Sequence, residues 1–237
     1  MSNIRLFHPE NIIGNSTSLL SKEHTHYVVN VMRLKRGSNL NFFNKNGEWN
    51  SEIVFLDKDR VEVKFLNKVK EPGSSLNIEL AICLVKKNPM ENILQKATEL
   101  GVSKITPIIS ERTEVKELNY ERAKKIVVEA TEQSNQLSPP EISKVVKLKD
   151  FLNNLDGSTK LLFADVNSKN NLKKESLGEV KSFSVLIGPE GDFSPSEREL
   201  VLQTSNIIPF TLSKNILRSD TAVISAISLV NFINNIH

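Results

Sequence analysis

Phe183-Ser184-Val185-Leu186-Ile187-Gly188-Pro189-Glu190-Gly191-Asp192-Phe193-Ser194-Pro195-Ser196-Glu197 packs a strand, a turn and a helix start into fifteen residues. The apolar run 183–187 reads as a buried strand. Gly188-Pro189-Glu190-Gly191 then breaks the chain sharply, and glycine lets backbone approach a ligand or a neighbouring segment closely. Ser194-Pro195-Ser196-Glu197 is a capping box with proline in the first turn, which opens a helix to about residue 205. Ligands of open α/β folds sit beyond the carboxyl ends of strands, so this turn is a candidate site as well as a connector.

The same rhythm extends in both directions. Downstream, 207–212 reads as the last strand. Leu212-Ser213-Lys214-Asn215-Ile216-Leu217-Arg218-Ser219-Asp220-Thr221-Ala222 leads from it into a final apolar helix over 220–236, with Ala222, Ile224, Ile227 and Val230 expected to be buried. The chain has only 8 arginines, so Arg218 between a strand and an apolar helix stands out. Asp220 and Thr221 suit a helix N-terminus. Upstream, 161–165, 105–109 and 77–85 read as further strands. Asn88-Pro89-Met90-Glu91 predicts an N-cap with proline at the first helical position, Gly101 a left-handed stop, and 119–133 another amphipathic helix. Alternating strands and helices predict an α/β domain over 76–237 with a mostly parallel sheet covered on both faces. Neither a GxxxxGK[ST] nor a GxGxxG motif occurs, which argues against nucleotide triphosphatases and dinucleotide enzymes.

The first seventy residues differ in kind. Residues 39–43 lead into Asn46-Gly47, read as a type I′ hairpin turn. Runs 51–56 and 60–66 flank a turn at 57–59, with Val61, Val63 and Phe65 facing a core. A short helix over 23–34 is expected to stop at Gly37. This is a small β-rich module over 1–70, joined by the breaker-rich linker 71–75. Residues 1–70 carry 11 basic and 7 acidic side chains, against 20 and 21 in the remainder, so the whole excess of the +3 chain lies here. The single cysteine, Cys83, excludes an internal disulfide framework and reads as a small buried hydrophobe. His24 and His26 lack metal-ligand spacing, and Trp49 reads as packing. No apolar stretch reaches membrane-span length and no signal peptide opens the chain, so the expected compartment is the cytoplasm.

Leu186-Ile187-Gly188-Pro189-Glu190-Gly191 followed by Ile216-Leu217-Arg218-Ser219-Asp220-Thr221-Ala222 resembles the SPOUT superfamily of S-adenosylmethionine-dependent RNA methyltransferases. The chain is most similar to the RsmE-type family, which methylates N3 of a uridine in 16S ribosomal RNA. Supporting stretches run almost end to end: Arg5-Leu6-Phe7, His26, 31–37, 95–102, Ser110-Glu111-Arg112 and 130–134. Three departures from the family's usual pattern stand out. Asp192 stands where glycine is common, Asp220 where glutamate is common, and Asn135-Gln136 where arginine follows Glu132-Gln133-Ser134.

The resemblance implies an N-terminal PUA-like β-barrel that binds RNA and a C-terminal α/β domain with a deep trefoil knot, paired as a homodimer. It implies that S-adenosylmethionine lies among Leu162, Phe163, Ala164, Ile187, Gly188, Pro189, Glu190, Gly191, Leu212, Ser213, Ile216, Leu217, Arg218 and Thr221. No metal is required, because a sulfonium methyl is already activated. The reaction needs N3 of an exposed uracil held in line with that methyl and relieved of its imide proton. Arg218 is the preferred group for orienting the uracil, with Glu190 and Asp220 as candidate bases that also have plain structural readings. Arg5, Arg33, Lys35, Arg36 and Arg112 are the candidate RNA contacts. The expected partner is the small ribosomal subunit, at a uridine near the decoding region toward the 3′ end of 16S rRNA. The competing readings are another SPOUT methylation, on a ribose 2′-oxygen or a different base, and a catalytically silent RNA-binding assembly factor.

Overall fold

The computed structural model describes residues 4–73, 76–180 and 182–235. Its contacts divide the chain into two compact units. One is Met1–Ser74 together with Thr131–Ser138, and the other is Ser75–Ala130 with Pro139–His237.

The first unit is a curled five-stranded sheet built from β1 (Arg5–Phe7), β2 (Thr17–Leu19), β3 (Asn39–Asn44), β4 (Gly47–Leu56) and β5 (Val61–Lys70). The strand order is β1-β3-β4-β5-β2, with β1 parallel to β3 and the other pairs antiparallel. Its two edges meet through side chains: a 3.1 Å hydrogen bond joins His8 Nε2, just after β1, to Ser18 Oγ on β2. The His8 ring stands edge-on to Phe65 and Phe42. Val61, Val63 and Phe65 are buried as their alternation predicts, together with Leu40, Phe42 and Ile53. Trp49 is buried among them, with Lys68 Nζ 5.2 Å from its ring.

Two local expectations change here. Asn44 pairs with Gly47, so the turn residues are Lys45 and Asn46 rather than Asn46-Gly47. Gly47 is at φ +137°, and an added Cβ would lie 2.5 Å from Lys70 O, so close backbone approach, not a type I′ turn, requires the glycine. The helix expected over 23–34 ends early. Helix α1 (Lys22–His26), capped by Ser21 Oγ, runs into a π-turn at Tyr27–Val31. Arg33, at φ +52°, takes the left-handed position before Gly37 does.

The second unit contains β6 (Asn77–Cys83), α2 (Lys87–Glu99), β7 (Lys104–Ile109), α3 (Tyr120–Gln133, its last residues counted with the first unit), β8 (Glu141–Ile142) and β9 (Val146–Lys147). It continues with α4 (Leu148–Asn153), β10 (Lys160–Ala164), α5 (Lys174–Leu177), β11 (Ser182–Ile187), α6 (Pro195–Leu202), β12 (Ile207–Phe210) and α7 (Ser219–Asn235). Every strand pair in this sheet is parallel, in the order β12-β10-β11-β6-β7-β8, with β9 also on β7. Alternation along the strands separates two cores, as a doubly covered sheet requires. Leu80, Ile82, Ile105, Leu162, Val185 and Ile187 pack with α2, α3 and α7. Ala81, Cys83, Ile108, Leu161, Phe163 and Leu186 pack with α4, α6 and Phe193. Burial pushes the Cys83 thiol up to about 12 against the hydrogen bonds of Ser110 and Thr113, which keeps it neutral inside the second core.

The capping box forms as read, with Ser194 Oγ accepting from Glu197 N and the Glu197 side chain from Ser194 N. Gly101 stops α2 at φ +84°. Helix α2 itself starts earlier than expected: its N-cap is Lys86, and Pro89 is the third helical residue, where no intrahelical N–H bond is lost. On α7 the inward residues are Val223, Ala226, Ile227, Val230 and Ile233, while Ile224 is exposed, so the buried stripe is shifted from the one expected.

Candidate functional site

Because the strands are parallel, the segments after β12, β10 and β11 leave one edge of the sheet from three adjacent strands. The segment after β10 is pinned first. Asp165, whose side chain is fully buried, accepts from Arg198 Nη2 at 2.7 Å and Nε at 3.2 Å, and from Asn167 N at 3.0 Å. Burial works against its charge, but the Arg198 and Asn167 hydrogen bonds outweigh it and hold the carboxyl below its usual range. Ser168 Oγ donates to Pro209 O and Thr211 N to Asn170 O, so the exits of β10 and β12 are tied together.

The turn after β11 is shaped by Phe193. Its ring lies 3.1–3.2 Å from where a Cβ on Gly188 would sit, and it tilts against Phe163 at 5.7 Å. Pro189 is buried while Glu190 and Gly191 are exposed. Asp192 is left-handed at φ +59°, a conformation glycine adopts without strain. Its Oδ1 accepts from Phe193 N at 2.8 Å, which stabilises an aspartate there. From the loop after β7, two strands along from β11, Arg112 Nη1 donates to Gly191 O at 2.9 Å, and Glu111 N donates to Glu197 Oε1 at 2.8 Å. Asp165, Glu197 and Arg198 are absent from the residues read as functional. Their signal is a pairing between distant segments that a single sequence does not display.

The segment after β12 carries Leu212, Ser213 and Leu217 half-buried and Ile216 90% exposed. Arg218 is exposed, and its guanidinium has no hydrogen-bond or ion-pair partner among the described residues. Glu190 is likewise exposed and unpaired. Asp220 differs: its Oδ2 accepts from Asn92 Nδ2 of α2 at 3.2 Å and its Oδ1 from Thr221 N at 3.0 Å. Thr221 is exposed in the first turn of α7. Leu162 and Phe163 are core residues with their side chains in opposite cores, and Ile187 is buried beside Leu162; Ala164 is half-buried where the chain leaves the sheet. The other edge of this sheet has a cavity of about 390 Å³. Its Glu79 accepts from Lys104, Thr106 and Ser184, so its polar groups satisfy one another.

In the first unit the candidate RNA contacts separate. Arg5 is turned inward: Nε donates to Glu48 at 3.0 Å, Nη1 to Glu132 O at 3.0 Å and Nη2 to Gln136 O at 2.9 Å, over the Phe43 ring. Every edge of its guanidinium is engaged, so Arg5 is a brace for 131–136 rather than a free phosphate contact. Phe7 N and His24 add to the same brace at Glu132. Ser134 Oγ is buried there with no hydrogen-bond partner among the described residues. Arg33, Lys35 and Arg36 are exposed and carry no side-chain partner among the described residues.

Two family models match, one described as an RNA methyltransferase domain over residues 72–231 and one as an RNA methyltransferase PUA domain over 20–66. The chain belongs to this RNA methyltransferase family. Curated relatives named ribosomal RNA small subunit methyltransferase E include one from Rickettsia conorii, 34% identical with 94% of this chain and 92% of that protein covered. Another, from Aquifex aeolicus, is 30% identical over 97% of this chain and all of that protein. A ribosomal RNA small subunit methyltransferase E from Neisseria gonorrhoeae, solved bound to S-adenosyl methionine, superposes with a TM-score of 0.90 at 27% identity, covering 98% of each chain. A Legionella pneumophila chain in complex with the bound cofactor SAM gives a TM-score of 0.86 at 30% identity, again over 98% of each.

Proposed function

We propose that the chain transfers a methyl group from S-adenosylmethionine to N3 of a uridine in small-subunit ribosomal RNA, near the decoding region toward the 3′ end of 16S rRNA. The observation that carries this reading is the pair of free, oppositely charged side chains, Arg218 and Glu190, on the loops that follow β12 and β11, the two strands flanking β10, in a chain of this family. The same loops suit the cofactor. Ile216 presents an almost fully exposed apolar side chain beside half-buried Leu212 and Leu217, and Gly188 adds a half-exposed stretch of backbone without a side chain, which matches a flat adenine with a polar ribose. Gly188, Pro189, Gly191, Leu212, Ser213, Ile216, Leu217 and Thr221 would hold it, with Ala164 at the rim. Leu162, Phe163 and Ile187 support the loops from the core.

When bound, S-adenosylmethionine supplies a methyl carbon already activated by its sulfonium. Arg218 orients the uracil and offsets negative charge building on its carbonyl oxygens. Glu190 takes the N3 proton; Asp220, committed to Asn92 and Thr221 N, holds the start of α7. Arg112 keeps the Glu190 turn in place through Gly191 O. Arg33, Lys35 and Arg36 grip RNA phosphates, two copies pair through the second unit, and the tied exits of β10 and β12 form the crossing of the knot. The test is mass mapping of rRNA from a strain lacking the gene, complemented by wild type or Arg218→Ala. The expected result is an N3-methyluridine restored by wild type and reduced about a hundredfold or more by the variant, which still binds cofactor in calorimetry. Restoration by Arg218→Ala, or a 2′-O-methyl product, overturns the assignment.

A further inference from the structure

Within the first unit, the end of the π-turn and the loop that leads to β3 expose apolar side chains. Val31 is 56% exposed and Met32 38%, and they directly precede the unpaired cations Arg33, Lys35 and Arg36. The loop is nevertheless held firmly. Met32 N donates to Tyr27 O, Leu34 N to Val28 O, Lys35 N to Ser38 Oγ and Gly37 N to Ile53 O. Leu34 packs against the core and Arg33 takes a left-handed backbone, so one residue turns in while its neighbours stay out. Of the other cations of this unit, Arg5 is engaged with Glu48, Arg60 with Glu62, Lys68 with Glu71 and Lys70 with Asn135 O, while Lys22, Lys45, Lys58 and Lys64 are exposed at separate points of the chain; Arg33, Lys35 and Arg36 instead fall within four residues of one another. A preorganised loop that joins two exposed apolar side chains to three free positive charges matches a partner with both phosphates and uncovered base faces.

We propose that Val31 and Met32 form an apolar wedge that packs on an unpaired or unstacked base of the RNA while Arg33, Lys35 and Arg36 hold the adjoining phosphates. This rests on the reading of the chain as an RNA methyltransferase and narrows its substrate to RNA with an accessible base beside the gripped backbone. Apolar side chains inserted at base steps are an established way to hold distorted nucleic acid, and phosphate contacts supply salt-dependent affinity without reading sequence. The charge alone would also suit an anionic membrane, but the loop falls inside the segment matching an RNA methyltransferase PUA domain.

The experiment compares full-length wild type, Val31→Ser/Met32→Ser and Arg33→Gln/Arg36→Gln. The probes are an RNA hairpin with an unpaired loop, a fully paired RNA duplex and vesicles of anionic phospholipid. The wedge variant should weaken hairpin binding about tenfold, leave the salt slope unchanged and spare the duplex. The arginine variant should weaken both RNAs and flatten the salt slope by about 1.5 to 2. Equal hairpin affinity of wild type and wedge variant overturns the wedge alone, as does an equal loss on hairpin and duplex. Vesicle binding that disappears in the wedge variant while hairpin binding persists assigns the loop to a membrane and overturns it too. Wild type that binds neither RNA overturns the RNA reading of this unit as well.

Discussion

Asp165 is a fully buried carboxylate that stays charged because Arg198 and Asn167 N surround it. Its pKa is depressed, so its contribution is present above the ordinary carboxylate value and is lost as pH falls through the folded one. Asp165→Asn should therefore lower stability at pH 7 by about 2 kcal/mol, less than a wholly buried pair, because Arg198 is a third exposed. The gap between wild type and variant should begin to narrow below about pH 4 and go on narrowing as the pH falls through the depressed folded value, and denaturant titrations from about pH 7 down to about pH 2.5 check this. A constant gap would mean that the residue acts through packing. At this scale the sequence was legible where chemistry is local. Cys83 was readable as an apolar strand residue, but Arg5 was not readable as a brace, since Glu48, Glu132 and Gln136 lie far from it along the chain. Asp192 shows the reverse case: the departure from glycine keeps the left-handed backbone by adding its own hydrogen bond to Phe193 N.

The strand–turn–helix unit from β11 to α6 shows what governs an element. Its strand, glycine turn and capping box were all legible, because each depends on residues within four positions of one another. What was not legible is that Phe193 folds back over Gly188, which makes the glycine a packing requirement. Gly188→Ala places a methyl 3.1–3.2 Å from two ring carbons wedged against Phe163, so the ring or the turn must shift. The expected cost is about 1–3 kcal/mol of stability, with a loss of cofactor affinity larger than that of Asp192→Gly, which keeps the backbone conformation. Thermal unfolding and calorimetry with S-adenosylmethionine on both variants check the order; equal cofactor affinity for Gly188→Ala and wild type would exclude a role for that backbone. The elements that escaped sequence reading are β1, β2, β8, β9, α4 and α5, each two to six residues long. Segments that short fall below the windows over which a period can be counted, and the strands among them find their partners far away in sequence. The helix over 23–34 failed for another reason: its apolar spacing continues past the π-turn, but the left-handed Arg33 ends it.

On the scale of the whole chain, charge and apolar exposure divide the work differently from their totals. The basic excess belongs to the first seventy residues, where Arg5, Arg60, Lys68 and Lys70 are occupied internally; of the cations left exposed, Lys22, Lys45, Lys58 and Lys64 are scattered, while Arg33, Lys35 and Arg36 cluster within four residues. The second unit is nearly neutral and exposes apolar groups instead, along one face of its last helix. Thr221, Ile224, Ser228 and Phe232 recur at helical spacing on the outer face of α7, with Phe232 65% exposed, while Val223, Ala226, Ile227 and Val230 fill the core. Under the pairing proposed for this unit, a second copy would cover Ile224 and Phe232 on that outer face. The pairing proposed for this unit then predicts that wild type sediments as a dimer at micromolar concentration. Phe232→Asp, at a position outside the core, should sediment as a monomer with its thermal unfolding otherwise intact. Val230→Asp, inside the core, should instead unfold the protein. A monomeric wild type, or a Phe232→Asp variant that remains dimeric, would place the interface elsewhere and leave the outer face of α7 as ordinary scattered exposure.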